Sequence, residues 1–497
     1  MERRRFLGSA LAGAGSLVLG CTGDSRPPPA GAPATPTALA EGAPLPLSPM
    51  LANESEDPAL FQATLRAAPV QRELLAGRTT TLLAYNETSP GPLLELREGQ
   101  RVRIAFDNAL AEDSTIHWHG LPVPADQDGN PMDPVPAGTR RVYEFGVRAG
   151  TAGTYWYHPH PHDRTAAQVV DGLAGPLIVR AADDPLAQLP ETTLFITSLR
   201  LDAGAQVAPD DAVDWTVGRQ HDTLLVNGAR MPVLGVRPGT TQRLRIVNAT
   251  PARHFRLALD GHVLTLVGSD GGLLGVPIGG LSEVLLAPAQ RIEVVVAVSS
   301  EPGARFALRA LPFEADFLGL GSYTADTLLT LATTAEPALA PLPVPAVLRP
   351  IRDLGDTTIR QAVTLGEVHD LCTSKGASVA FLINGRRFDP ARVDLVTDVG
   401  RVELWDVVND TAMAHPFHVH GTQFQLVSRQ TGTVVTPAAY LAWIDTVLVP
   451  SQQTATIKLR QSLPGKRMFH CHILEHEDNC MMAILDVRPS AAPNVSA

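Results

Sequence analysis

Long apolar runs are nearly missing from this 497-residue chain. The one that stands out, Leu7 to Gly20, is broken by small residues and too short to span a bilayer comfortably. Basic clustering is missing too. Lys and Arg number 40 against 51 Asp and Glu, a formal net charge of −11, which argues against a nucleic-acid surface. Cysteine is scarce, with four residues: Cys21, Cys372, Cys471 and Cys480. Long segments of helical period are few. In their place stand 41 Gly and 42 Pro, a composition that suits many short strands joined by turns. At about 150 residues per domain, the length suggests three domains.

The N-terminus reads as an address. Arg3, Arg4 and Arg5 precede Phe6-Leu7 and the short apolar run, a pattern similar to a twin-arginine export signal. Leu17-Val18-Leu19-Gly20-Cys21 also resembles a lipoprotein cleavage box, with a lipid anchor on Cys21. The plainer alternative is a soluble exported protein whose Cys21 is discarded with the signal, residues 1–21. Residues 22–48 are rich in Pro, Ala and Gly and read as a flexible tether. The expected location is outside the cytoplasm, periplasmic or lipid-anchored at the cell envelope. In an oxidising compartment Cys372 and Cys480 either pair or remain two buried thiols.

A repeat organises the rest. Gly99–Asn108, Gly239–Asn248 and Gly400–Asn409 each begin with a turn glycine, continue as a partly alternating strand and close on Asn. Asn227-Gly228 and Asn384-Gly385 mark hairpin turns upstream of two copies; the first copy has Tyr85-Asn86 and then Pro90-Gly91. Three copies so widely spaced predict three similar domains, each an all-β sandwich. Their expected limits are 50–183, 190–335 and 345–490, with the Pro-rich stretch 336–349 as linker.

Of the 15 histidines, ten fall in four clusters. These are His117-Trp118-His119, His158-Pro159-His160 with His162 beyond, His415-Pro416-Phe417-His418-Val419-His420, and His470-Cys471-His472 followed by His476 and Met481. On a strand, residues i and i+2 share a face, so each His-x-His presents two imidazoles side by side. One such pair is weak support for a metal site, and four in one chain are hard to assign to chance. Imidazole suits several metals, but Cys471 selects among them. It points away from its flanking histidines and is joined by His415, His476 and Met481. Two imidazoles, a thiolate and a long axial thioether make a blue-copper set, whereas zinc recruits more thiolates or a carboxylate. Core packing is the alternative role for Met481, as adjacent Met482 illustrates. An electron reaching Cys471 is one peptide unit from either neighbouring histidine.

In this order the motifs His-Trp-His-Gly, Trp-Tyr-His-Pro-His, His-Pro-Phe-His-Val-His-Gly and His-Cys-His-x3-His-x4-Met resemble the multicopper oxidases, bacterial laccases and cuprous oxidases among them. The resemblance covers nearly the whole chain past the tether. It implies three cupredoxin-like Greek-key β-sandwich domains and four copper ions, with the three-copper cluster between the first and third domains. It assigns the type 1 copper to His415, Cys471 and His476, with Met481 axial. The type 2 copper falls to His117 and His418. The type 3 pair falls to His119, His158, His160, His420, His470 and His472. Two carboxylates match acidic residues that serve the cluster in relatives, Asp128 and Glu477, and both are expected to donate protons. Their alternative role is to orient a histidine, and Asp113 and Asp478 are the less favoured substitutes.

His221, His254 and His262 form no pairs and are expected at the surface or in hydrogen bonds; His162 and His369 are also unpaired. The electron donor should approach His476 and His415, past Met413 and Leu474. An exposed imidazole edge beside a shallow apolar surface would suit phenols and aromatic amines, the first reading. Oxidation of Cu(I) or another metal ion is the rival, weakened by the lack of any Met-rich run among eight methionines. A copper-binding protein without turnover is a third reading, disfavoured by the complete ligand pattern. Expected partners are therefore dioxygen and a small aromatic donor or metal ion, with no nucleic acid, and a monomer is expected.

Overall fold

The computed structural model describes residues 39–313, 322–369 and 379–490. The N-terminal address, most of the 22–48 stretch and Cys372 lie outside them. Among the described residues no helix is long and apolar enough to cross a membrane.

Six sheets pair into three sandwiches. In the first, the order Arg78–Tyr85, Leu60–Leu75, Arg101–Asn108, Arg140–Gly146 faces Leu94–Arg97, Gly175–Arg180, Gly153–His158, His117–His119. The second and third each set a six-stranded sheet against a five-stranded one, within 191–333 and 360–488. Strands adjacent in a sheet are often not consecutive in the chain, the mark of Greek-key crossovers. Each sandwich has its own apolar core, filled from both sheets.

The repeat explains the common plan. Gly99, Gly239 and Gly400 have φ of 83°, 73° and 82°, the left-handed region where glycine carries no steric cost. The strands that follow occupy one position three times. Each runs parallel to the first strand of its sandwich and antiparallel to Arg140–Gly146, Arg291–Ala297 or Gln453–Arg460. The closing asparagines are buried and bonded alike. Asn108 Nδ2 donates to Glu112 O (2.9 Å) and Val135 O (2.8 Å), Asn248 Nδ2 to Arg253 O (2.8 Å) and Leu286 O (3.2 Å), and Asn409 Nδ2 to Met413 O and Val449 O (both 2.8 Å). The same side chain thus folds back the loop that leads to His117 in one sandwich and to His415 in another. The hairpin turns also match, at Asn227-Gly228 (φ 52° and 82°) and Asn384-Gly385 (51° and 71°). In the first copy the turn is Asn86-Glu87 (48° and 63°), upstream of Pro90-Gly91.

The second repeat strand departs from simple alternation, because Thr241–Asn248 is buried along its whole length. Its outer face, carrying Arg243 and Arg245, packs on the first sandwich. There Glu293 accepts from Arg243 Nη2 (2.5 Å) and from Thr154 Oγ1 (2.8 Å), and pairs with Arg245. Residues 41–46, at the end of the expected tether, run along Val233 and its neighbours, with Gly42 N donating to Met231 O and Leu45 N to Val233 O. The linker also lies on the second sandwich, where Leu339 N donates to Pro238 O.

Removing the Asn248 side chain (Asn248→Ala) takes a donor from two buried carbonyls, leaving Arg253 O the 3.3 Å bond from Thr250 Oγ1, and orphans the Thr250 N–H that Oδ1 accepts. This should cost about 3 kcal/mol in a denaturant titration. An unmoved midpoint would contradict the closing role given to the three asparagines.

Candidate metal centre

Register brings the histidines together. His117 stands opposite His158, and His418 opposite His470. Trp118 and Cys471, between their histidines, turn into the cores of the first and third sandwiches. Eight rings, His117, His119, His158, His160, His418, His420, His470 and His472, converge between these two sandwiches with 1% exposure or less. His117 stacks on His420 at 3.8 Å and His119 on His418 at 3.9 Å, each pair joining the two sandwiches. Three trios in this cluster hold ligand atoms within 4.8 Å of one another: His117, His418 and His420; His117, His119 and His158; His160, His420 and His470.

A second group lies on the other side of the Cys471 strand. His415 Nδ1 is 3.3 Å from Cys471 Sγ, and His476 Nδ1 is 3.9 Å from it. Met481 is buried in the same core, its N–H donating to His476 O (2.9 Å). The short helix Leu474–Asp478 carries His476 and Glu477 in succession. Cys471 therefore touches one group while His470 and His472 belong to the other.

Polar accounting favours metal. An imidazole nitrogen buried without a partner is costly. Here His117, His119, His158 and His418 each have one nitrogen anchored and the other left over. His117 Nδ1 donates to Asp128 O (2.9 Å), His158 Nδ1 to Pro159 O (2.8 Å) and His418 Nδ1 to Asp445 O (2.8 Å), leaving each Nε2 unpartnered. His119 is reversed, since Asp445 Oδ1 holds its Nε2 at 3.0 Å and Nδ1 is unpartnered. Both nitrogens of His472 are unpartnered. One ring nitrogen tied to an acceptor and the other presented inward is how histidine is prepared to ligate. Burial pushes the imidazoles of His119, His158, His160, His415, His420 and His472 well down, His418 to about 4 and His476 to about 3, so they stay neutral and able to bind metal. Burial pushes the Cys471 thiol up, so a metal must displace its proton.

Asp128 and Glu477, both fully buried, lie at the eight-ring cluster. Asp128 Oδ1 is 3.2 Å from His117 Nδ1, and its Oδ2 is 3.3 Å from His420 Nδ1. Glu477 Oε2 is 3.1 Å from His470 Nδ1, and its Oε1 is 3.4 Å from His160 Nε2. Burial pushes the Glu477 carboxyl up, but His160 and His470 outweigh that and hold it at about 2. The substitutes are elsewhere. Asp113 is exposed, and Asp478 accepts Thr165 N (3.0 Å) and Ala166 N (2.9 Å) at the start of a short helix.

The exposed imidazole edge is not found. His415, His476 and Leu474 have 0% exposure and Met413 has 3%. The cover comes from another sandwich, because Thr216, in the turn Asp214–Val217, accepts from His476 Nε2 at 3.2 Å. Thr411 Oγ1 lies 2.8 Å from His415 Nε2. His254 departs from expectation as well, being buried and stacked on Phe313 at 5.1 Å. His262 is hydrogen-bonded, His221 is exposed and His162 meets the Phe388 ring at 5.0 Å. His369 ends the strand Arg360–His369. Asp445, 3.0 Å from His119 Nε2, and Arg291, paired with it from 154 residues away in the chain, were not anticipated from sequence, and no local pattern marks either.

Comparison with known proteins shows the family. The family profile described as multicopper oxidase matches residues 67–184, 200–327 and 361–491. The multicopper oxidase Mco of Staphylococcus aureus is 32% identical over 435 residues, covering 85% of this chain and 88% of its own. A solved multicopper oxidase from Campylobacter jejuni, described as a metallo-oxidase, is 37% identical with a TM-score of 0.85 over 90% of this chain and 96% of its own. A laccase structure from Pediococcus acidilactici is 30% identical with a TM-score of 0.78 over 90% of this chain and 94% of its own. With its repeats, its paired histidines and these likenesses in agreement, the chain belongs to the multicopper oxidase family of copper-binding oxidoreductases.

Proposed function

We propose that this oxidase holds four copper ions and couples one-electron oxidation of a small donor to reduction of dioxygen to two waters. The observation that carries the reading is the tripeptide His470-Cys471-His472, whose sulfur faces His415 and His476 while its imidazoles face the eight-ring cluster. His415, Cys471 and His476 would hold the type 1 copper, with Met481 axial. His117 and His418 would hold type 2, and His119, His158, His160, His420, His470 and His472 the type 3 pair. Bound copper supplies one-electron exchange at the first site and the electrons for dioxygen reduction at the second.

The chain supplies the rest. Four protons are needed per dioxygen, and Asp128 and Glu477, each against two rings of the cluster, are placed to relay them, with the ionised Glu477 accepting a proton and passing it on. Burial excludes bulk water from both groups. Residues 1–21, read as an export signal with Cys21 as a possible point of lipidation, would put this reaction outside the cytoplasm.

The donor reading shifts toward a metal ion. A phenol cannot lie on imidazole edges that are fully covered. The outer nitrogen of His476 leads to Thr216, and the adjacent Trp215 lines an open cleft of about 350 Å³ with Asp163, Asp171, Asp210 and Arg219. With Asp478, its four carboxylates outnumber the guanidiniums of Arg164 and Arg219, which suits a small cation, and the similar Campylobacter protein is described as a metallo-oxidase. Oxidation of Cu(I) or a comparable low-valent ion is therefore preferred despite the scarcity of methionine. Laccase-like oxidation of phenols or aromatic amines is the second reading, favoured by the half-buried Trp215 ring and the Pediococcus likeness.

Steady-state dioxygen uptake with Cu(I), an aromatic amine and a phenol should give the highest kcat/KM for Cu(I). A phenol turned over more efficiently would return the assignment to a laccase. Cys471→Ser should lose both the blue absorption and turnover, and retained blue colour would contradict the ligand assignment.

A further inference from the structure

The second sandwich contributes none of the proposed ligands, yet it reaches the cluster. We infer that Arg291 and Asp270 of that sandwich hold Asp445 as a positioning residue that fixes His119 and His418 across the interface of the other two. This rests on the four-copper reading above.

Asp445 acts on both rings. Its Oδ1 is 3.0 Å from His119 Nε2, and its main-chain oxygen accepts from His418 Nδ1 at 2.8 Å. The contact leaves Nδ1 of His119 and Nε2 of His418 as the nitrogens presented to metal. One residue thereby sets the tautomer of two imidazoles, one from the first sandwich and one from the third. A carboxylate accepting from an imidazole N–H also makes that imidazole a stronger donor.

Asp445 is itself held by the second sandwich. Arg291 Nη1 donates to Asp445 Oδ1 (2.8 Å), and Arg291 Nη2 pairs with Oδ2. Arg291 is tied to the first sandwich as well, with Nε donating to Thr154 O at 3.0 Å. Asp270 accepts Arg291 N (2.7 Å) through Oδ1, and Asp445 N (3.1 Å) and Thr446 N (3.3 Å) through Oδ2. Thr446 Oγ1 completes the set with a bond to Asp445 Oδ1 (3.0 Å). All four side chains are buried. A bidentate guanidinium–carboxylate pair fixes orientation as well as charge.

The glycine of His-Trp-His-Gly belongs to the same device. Gly120 has φ 87°, and a Cβ there would fall 2.3 Å from Asp445 Oδ2 and 2.6 Å from Arg291 Nη2. The motif therefore needs glycine for its backbone and for the approach of this pair. His119, His418 and Asp445 could also be read as a ligand trio. Both Asp445 oxygens are already engaged by Arg291, which favours positioning over ligation.

The test is electron paramagnetic resonance of copper-loaded wild type, Arg291→Met and Arg291→Lys, with copper content and the blue band measured on each. The wild type should show a type 2 signal beside the blue copper; its absence would overturn the four-copper reading itself. With that signal present, Arg291→Met should keep the blue band, alter the type 2 hyperfine pattern and lower dioxygen uptake about 10–100-fold. Arg291→Lys should return the spectrum toward wild type. Unchanged type 2 spectrum and uptake in Arg291→Met would overturn the positioning role. If Arg291→Met does not fold, Asp445→Asn, equal in size, carries the same expectation and the same contrary outcome.

Discussion

Every buried imidazole must place two nitrogens, and this requirement orders the site. A ring that gives one N–H to a carbonyl or carboxylate has one nitrogen left, buried away from the surface. His117, His158 and His418 follow this rule through Nδ1, and His119 follows it in reverse. In the smaller group, the outer nitrogens of His415 and His476 rest on Thr411 and Thr216, so Nδ1 of each faces Cys471. The inward nitrogens converge because two strand pairs, His117 with His158 and His418 with His470, are packed against each other. Without metal the cluster is a concentration of unsatisfied polar atoms that ordinary packing would not tolerate.

The three sandwiches divide the labour unequally. The first and third present rings. The second covers the Cys471 group through Thr216 and braces the cluster through Arg291, so its lack of ligands does not make it a spacer. Covering and bracing bear on different halves of the chemistry. Thr216 covers the outer nitrogen of His476, whereas Asp445, held by Arg291, would set which nitrogens of His119 and His418 meet metal.

Much of this was legible in the sequence, for local reasons. A glycine with positive φ, an alternating strand and a closing asparagine lie within ten residues, so the repeat shows wherever it occurs. The i, i+2 rule likewise puts His470 and His472 on one face and Cys471 on the other without tertiary information. What failed was non-local. The expected exposed edge of His476 is covered by a turn 260 residues away in the chain, and exposure cannot be read from one strand. Asp445 lacks any motif because its partners, His119 and Arg291, come from the other two sandwiches. Uniform burial of Thr241–Asn248 arises in the same way, since an interface covers the face that alternation would leave to solvent.

The central claim is that two adjoining ligand groups share one strand and hold separate kinds of copper. Metal analysis of the loaded chain, combined with quantitation of its paramagnetic copper, tests it most directly. The account predicts four coppers per chain, of which the type 3 pair is silent and only two give a resonance signal. One copper per chain, or a number of resonance-active ions equal to the total, would contradict it.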